Sequence, residues 1–499
     1  MRRSWLVSGV AAAAVVAAGA GFLIGYEVVP DRATDSASRP AGTAVSPTPE
    51  RPSASTVPSV LPLARPWPDR PVVRLSYDVA ADHRSVSGVE DVTFTPDRKV
   101  CGRLVFRAWP NKPGTALFGG SLTIHRVSVG GRPARPAVHS AGGVPGRPGT
   151  LVDVPLRDCV AAGHSVAVRL SFDVVMATGS GERVGTNRDG EMWFASAFPV
   201  LAWERGHGWM TDSAVDVFGE SDGSEEFKLA LDVVAPGQDS VLGTGRALPT
   251  TEGPRPDTVR HRFAADSVRN VAVAVGGYRL TDRVISGVRV HVGVSDNGAK
   301  TGAQGWLAKI ELEIPRLERY FGRFPYDDLW VTVIPDTTGI EFPGAIFYGD
   351  TPPSEVGTGD LVGHELAHMW FYSLVGDDQG RDPWLDEAFA QYGQALADGR
   401  EGGYLGPLTV PPFAQNRVGA PMTYWARDPN DYGIGVYRQG AHMLFEARTK
   451  AGPARWDAAI RTYIARNAHR IARPSDLEAA VRQLPGAVET LRAYGAVRS

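Results

Sequence analysis

The sequence predicts an α+β multidomain chain, with an antiparallel β-sandwich or saddle-shaped sheet over residues 70–283 and a mainly helical domain over 284–499. Two patterns carry this reading. From Val72 onward apolar side chains alternate with polar ones at period two, and after about residue 284 they move to helical spacing. Size sets the outer limit: 499 residues, with 43% hydrophobic and 21% charged, can fill two sizeable cores. That balance is too apolar for a mainly disordered chain. A net charge of −3 is too neutral for a protein built to hold nucleic acid phosphates, so no nucleic acid partner is expected.

The chain opens with Arg2 and Arg3, followed by an uncharged stretch from Trp5 to Tyr26 rich in Ala and Val. Its length is near the roughly 20 residues of a spanning helix and exceeds a usual signal-peptide core. An Ala18-Gly19-Ala20 triplet suits a cleavage site, so residues 1–30 read as an uncleaved membrane anchor or as a cleaved signal segment. With Arg2 and Arg3 held in the cytoplasm, both readings export the remainder, either anchored at the cell membrane with its folded part outside or secreted. Residues 31–69 then read as a linker. Of the 38 residues from 31 to 68, 24 are Pro, Ser, Thr or Ala, which bury little apolar surface.

The β-rich part is read from Val73, Leu75, Tyr77 and Val79, from Val166 to Val174, and from Phe227 to Val233, each alternating in and out. Val288 to Val294 repeats the pattern just past the boundary. Cys101 and Cys159 fall beside predicted strand ends; in an exported protein a lone pair is expected to form a disulfide, the alternative being two buried thiols. Further on, Trp306, Leu307, Ile310, Ile314, Leu317 and Phe321 form a helical stripe across Pro315, and Leu329–Ile334 reads as a short apolar strand. Residues 456–466 and 475–482 read as amphipathic helices.

The segment Asp360–Val375, DLVGHELAHMWFYSLV, reads as a helix carrying His364, Glu365 and His368. The i, i+4 spacing puts both imidazoles on one face, where they can share one ion. Glu387 follows His368 by 19 residues, early in a second helix opened by Asp382 and Pro383. Two His and one carboxylate with a fourth position open form the ligand set of a catalytic zinc, one Zn2+ per chain. Such an ion brings the pKa of a bound water to about 7. Glu365, beside a ligand but outside the set, is placed to take the water's proton and deliver it to a leaving amine. Asp382 and Asp386 are candidates for orienting the ligands, and His442 reads as a packing histidine.

HELAH, 18 intervening residues and Glu387 resemble the gluzincin zinc aminopeptidases of the aminopeptidase N type. TGIEFPGAIF (338–347) is similar to that family's exopeptidase signature, which implies substrate binding at Gly339 and Glu341, the glutamate contacting the free α-amine. GVYRQGAHML (435–444) resembles the block whose tyrosine stabilises the oxyanion, here Tyr437. YFGRFPYDDLWVTVIP is similar to the approach to the signature. The chain departs from the commoner Gly-Ala-Met-Glu-Asn at Gly339–Pro343, and carries Ala388 where a Gly usually follows the third ligand. Since 62 residues follow Tyr437, the resemblance implies a short bacterial two-domain variant without the large C-terminal helical domain, and a thermolysin-like zinc peptidase domain.

The function implied is hydrolysis of the N-terminal peptide bond of peptides with a free N-terminus, by a zinc-activated water. A thermolysin-like endopeptidase shares the zinc ligands and is the alternative within enzymes; Glu341 separates the two. A non-catalytic binding protein that kept the fold would have lost a ligand, the base or the tyrosine, and none is lost here. A membrane partner enters only through an uncleaved N-terminal segment.

Overall fold

The computed structural model describes residues 61–179, 183–217, 223–334, 337, 339–350 and 358–497. The expected anchor or signal at 1–30, and the linker up to residue 60, lie outside them. Among the described residues no helix is long and apolar enough to cross a membrane.

The N-terminal part is built on an eight-stranded sheet, accompanied by two four-stranded sheets and a two-stranded ribbon. Val72–Val79 shows how the sequence makes it: Val73, Leu75, Tyr77 and Val79 point inward and are buried, and the residues between face outward. This strand pairs antiparallel with Ser85–Phe94 but parallel with Phe227–Pro236, so the sheet is not purely antiparallel as the alternation suggested. Period-two patterning fixes the buried face and leaves the direction of a neighbour open. Cys101 and Cys159 form a disulfide that closes a separation of 58 residues, next to the bridge between Val100 and Val160.

A second, mixed five-stranded sheet starts with Tyr278–Ile285 and Val288–Ser295 and continues through Asp328–Ile334, Ala345–Gly349 and the edge strand Gly339–Phe342. Both its faces are covered. Leu329, Val331 and Val333 face the helices, whereas Trp330 and Ile334 enter the β-domain core. This is why Leu329–Ile334 lacks an exposed polar face. The helix Ala303–Phe321 buries Trp306, Leu307, Ile310, Ile314 and Leu317 against the same sheet, with Pro315 inside it. Helices Gln439–Ala451, Pro453–Asn467, Pro474–Val481 and Pro485–Ala493 complete the C-terminal part.

Composition assigns residues 64–69 to the linker; in the structure they are packed. The Ala64 amide donates to the Ala465 carbonyl at 2.7 Å, and Arg470 Nη2 donates to the Arg65 carbonyl at 2.9 Å. The Trp67 ring lies between the guanidiniums of Arg205 and Arg470, at 4.7 and 3.8 Å from its centroid. One tryptophan carries enough stacking area to end a tether that Pro and Ala counts extend past it.

Replacing both Cys101 and Cys159 by Ser is expected to lower unfolding free energy by about 2–4 kcal/mol, from the loop the bond closes. Urea unfolding with and without reductant measures this; equal midpoints for parent and variant would refute it.

Candidate active site

Thr358–Ala367 is the helix that carries His364 and Glu365, and His368 follows in the first turn after it. The His368 amide donates to the His364 carbonyl at 3.3 Å, which keeps helical spacing, and the two rings meet edge to face at 4.8 Å. The sequence extends this helix to Val375, but the structure turns back sooner. The Leu374 and Val375 amides donate to the Met369 and Trp370 carbonyls, and Tyr372 has φ +87°. Residues 368–375 are all buried, and apolar periodicity does not separate a buried turn from a buried helix.

Trp384–Asp398 is the second helix. Pro383 already has helical dihedrals, and the Glu387 amide donates to its carbonyl at 3.1 Å. This first turn sets Glu387 Oε2 at 3.3 Å from His364 Nε2 and 3.6 Å from His368 Nε2. One ligand atom from each of His364, His368 and Glu387 lies within 4.8 Å of the other two. His368 Nδ1 donates to Asp386 Oδ1 at 2.5 Å, and Asp386 Oδ2 accepts from Gln379 Nε2 at 2.7 Å. The first of these bonds fixes the tautomer and leaves Nε2 as the lone-pair nitrogen facing Glu387. The His364 side chain is bonded to Gln394, which in turn accepts from Gln391 Nε2 at 2.9 Å.

Alternation along Gly339–Phe342 brings the next pieces. Ile340 and Phe342 enter the β-domain core, so Gly339 and Glu341 face the other way, toward the His364 helix. Glu341, Glu365 and His368 each place a ligand atom within 4.8 Å of the others. Gly339 is there for space: a Cβ on it would lie 2.3 Å from Glu365 Oε1. Tyr437 comes from a π-helical turn, Gly433–Arg438, that leads into Gln439–Ala451. Its ring stacks on His364 at 5.8 Å with planes 11° apart, and its hydroxyl is hydrogen-bonded to Glu387. Ala388, the departure after Glu387, faces Gly440, where a Cβ would come within 2.4 Å of the Ala388 methyl. The two helices thus keep one small contact with its methyl on the Glu387 side.

The seven residues expected as metal ligands, catalytic groups or substrate contacts therefore meet at one place, with Asp386 beside them on His368, whereas His442 lies apart against Glu446 and Tyr494. Sequence reasoning missed Gln379 and Gln394. Gln394 was findable, because Glu387, Gln391 and Gln394 recur at helical spacing on an otherwise apolar helix. Gln379 had no comparable signal.

The electrostatics are those of a cluster short of positive charge. Burial, then the charge of Glu341, pushes the Glu365 carboxyl well above the usual range. Burial likewise pushes Glu341 up to about 8, with Asp386 and Glu387 adding to it and His368 opposing. Burial lowers His364, favouring the neutral ring that a metal needs. Burial alone would raise Glu387, yet the His364 hydrogen bond and the two imidazoles hold it below the usual range. Burial and the Glu387 charge keep Tyr437 protonated far above its usual value. Glu341 Oε1 and Glu365 Oε2 have no hydrogen-bond partner among the described residues. Two imidazole nitrogens, one carboxylate oxygen and orphaned acidic oxygens beside them fit one zinc ion and, next to it, a cationic ligand.

Removing the Asp386 carboxylate should loosen that metal. Asp386→Ala is expected to weaken zinc binding roughly 10–100-fold in chelator competition, because the His368 ring loses its orienting acceptor. Affinity equal to the parent's would show that the bond does not tune the site.

No family model matches the chain. A segment of 143 residues is 29% identical to aminopeptidase N of Streptomyces lividans, covering 25% of this chain and 16% of that protein. Another of 125 residues is 31% identical to endoplasmic reticulum aminopeptidase 2 of Bos taurus, covering 22% and 13%. The matches thus span less than a fifth of the length of these relatives. Among solved structures, an M1 zinc metallopeptidase variant from Deinococcus radiodurans bound to a Tyr-Ser-Ala substrate matches with TM-score 0.63 at 18% identity, over 86% of this chain and 95% of that one. A two-domain M1 zinc metallopeptidase variant bound to L-tryptophan matches with TM-score 0.61 at 18% identity, over 86% and 95%. The chain thus has the fold of the two-domain M1 zinc metallopeptidases and carries segments similar to aminopeptidase N and to endoplasmic reticulum aminopeptidase 2.

Proposed function

We propose that the chain is a zinc-dependent aminopeptidase that hydrolyses the N-terminal peptide bond of peptides. The observation that carries this reading is the placement of two buried carboxylates, Glu365 and Glu341, beside the His364, His368 and Glu387 donors. Zinc held by those three residues would supply a Lewis acid that lets a water ionise near neutral pH. Glu365 takes that water's proton and later returns it to the leaving amine. Its raised affinity for protons suits both halves of the task. Tyr437, protonated and stacked on His364, donates its hydroxyl to the oxygen that gains charge when the carbonyl is attacked. Glu341 pairs with the substrate's α-ammonium and so sets the first peptide bond, rather than an internal one, beside Glu365. Gly339 keeps the Glu365 carboxylate in its place by carrying no side chain.

The same reading makes the catalytic half thermolysin-like: a mixed sheet whose edge strand borders the site, then the HELAH helix, then the Glu387 helix. The Streptomyces and Bos relatives are named as aminopeptidases, and one structural neighbour holds a tripeptide substrate; both support peptides as substrates here. We also place the folded part outside the cytoplasm. The support is the Cys101–Cys159 disulfide together with the uncharged stretch after Arg2 and Arg3.

A panel of aminoacyl p-nitroanilides and matched N-acetylated peptides, with and without a chelator, tests the reading. Chelator-sensitive cleavage of free-amine substrates, with blocked peptides left intact, is expected. Rapid cleavage of blocked peptides with poor turnover of the anilides would replace it with an endopeptidase. Gly339→Ala is expected to lower kcat roughly 100-fold while zinc content stays at one per chain, since a displacement near 1 Å at a catalytic group costs about that much. A parent-like kcat would remove Glu365 from the mechanism or Gly339 from its support.

A further inference from the structure

The β domain meets the turn after His368 through two consecutive residues, Arg269 and Asn270, which lie between the strands Thr258–Val268 and Ala272–Gly276. Both are buried. Arg269 Nε donates to the Ser373 carbonyl at 3.2 Å, and its Nη1 donates to the Ser224 carbonyl at 2.8 Å. Asn270 Nδ2 donates to Ser196 Oγ at 2.7 Å and lies 3.3 Å from Tyr372 Oη, while its Oδ1 accepts from the Val271 amide at 2.8 Å. Arg183 Nη1 donates to the same Ser196 hydroxyl at 3.0 Å.

Two features of this contact go beyond packing. Ser196 and Tyr372 both hold left-handed backbones, at φ +50° and +87°, and both touch the Asn270 side chain. A left-handed backbone is unfavourable for any residue with a Cβ, most of all a bulky one, and persists only where its surroundings hold it. The held turn is also tied to a candidate ligand: the Ser373 amide donates to the His368 carbonyl at 3.0 Å, and the Tyr372 amide to the Val375 carbonyl at 2.8 Å. On the other side, the Arg183 guanidinium lies 5.9 Å over the ring of Phe342, the neighbour of Glu341. One β-domain network therefore borders both the turn after His368 and the strand that bears Glu341.

We propose that Asn270 is a positioning residue for the metal site: its amide holds Tyr372 in the left-handed conformation and so fixes the turn that carries His368. The proposal rests on the reading that His364, His368 and Glu387 bind zinc. It gives the β domain a part in setting metal geometry.

The test uses the full chain as Asn270→Ala, Tyr372→Phe and the double variant. Zinc affinity is read by chelator competition, the visible spectrum after cobalt substitution reports ligand geometry, and thermal unfolding reports stability. Each single variant is expected to weaken zinc roughly 10-fold and to alter the cobalt bands. In both, kcat should fall while KM stays within about twofold, and the double variant should be no worse than Asn270→Ala, because the Asn270–Tyr372 contact that Tyr372→Phe removes is already lost in Asn270→Ala. Folded variants with parent-like zinc affinity and cobalt spectrum, or losses that multiply in the double variant, overturn the proposal. Should Asn270→Ala fail to fold, Tyr372→Phe, which removes a single hydroxyl, decides by the same two readouts. A parent that takes up no zinc overturns the metal-site reading and this proposal together, whereas a parent that binds zinc no better than its variants overturns this proposal alone.

Discussion

The arrangement depends on burying acidic groups where protein supplies too little positive charge to balance them. Glu341, Glu365, Asp386 and Glu387 are each at most 5% exposed and surround two imidazoles. An uncompensated buried charge costs several kcal/mol, so such a cluster is tolerated only with cations or protons supplied to it. Each departure from the usual carboxylate range follows from that. Glu387, which has two imidazoles against it, stays ionised; Glu341 and Glu365, with orphaned oxygens, hold protons more tightly. A divalent metal at the first and an ammonium at the second would relieve both imbalances with the two charges an aminopeptidase brings together.

The frame that makes this cluster possible is a sheet buried on both faces. Along Gly339–Phe342 the pleat sends Ile340 and Phe342 into the β-domain core and leaves Gly339 and Glu341 opposite the HELAH helix. A shift of one residue would bury Glu341 among the phenylalanines and turn Ile340 toward the site, so packing and chemistry fix the same register. From the helical side, the first turn of Trp384–Asp398 does the equivalent work, pointing Glu387 at one imidazole pair while Asp386 reaches the far nitrogen of His368. Adjacent residues on one turn thus present one carboxylate to the imidazole pair and the other to the outer nitrogen of His368.

Much of this was legible in the sequence because it is local. HELAH is one helical turn, Glu387 sits at an interpretable distance from a Pro-marked helix start, and the strands announce themselves by alternation. Where the reading fell short, the cause was contact between parts distant in sequence. Asn270 and Tyr372 are 102 residues apart, and neither residue type signals the other. The parallel pairing of Val72–Val79 with Phe227–Pro236 is likewise invisible to a periodicity that reports faces and not partners. The early end of the HELAH helix escaped notice because Met369–Val375 is as apolar as the helix it leaves.

The most direct measurement is anomalous diffraction at the zinc edge from crystals of the purified chain. A single peak per chain is expected, within bonding distance of His364 Nε2, His368 Nε2 and a Glu387 carboxylate oxygen. A peak centred between Glu341 and Glu365, or none at the two histidines, would contradict it.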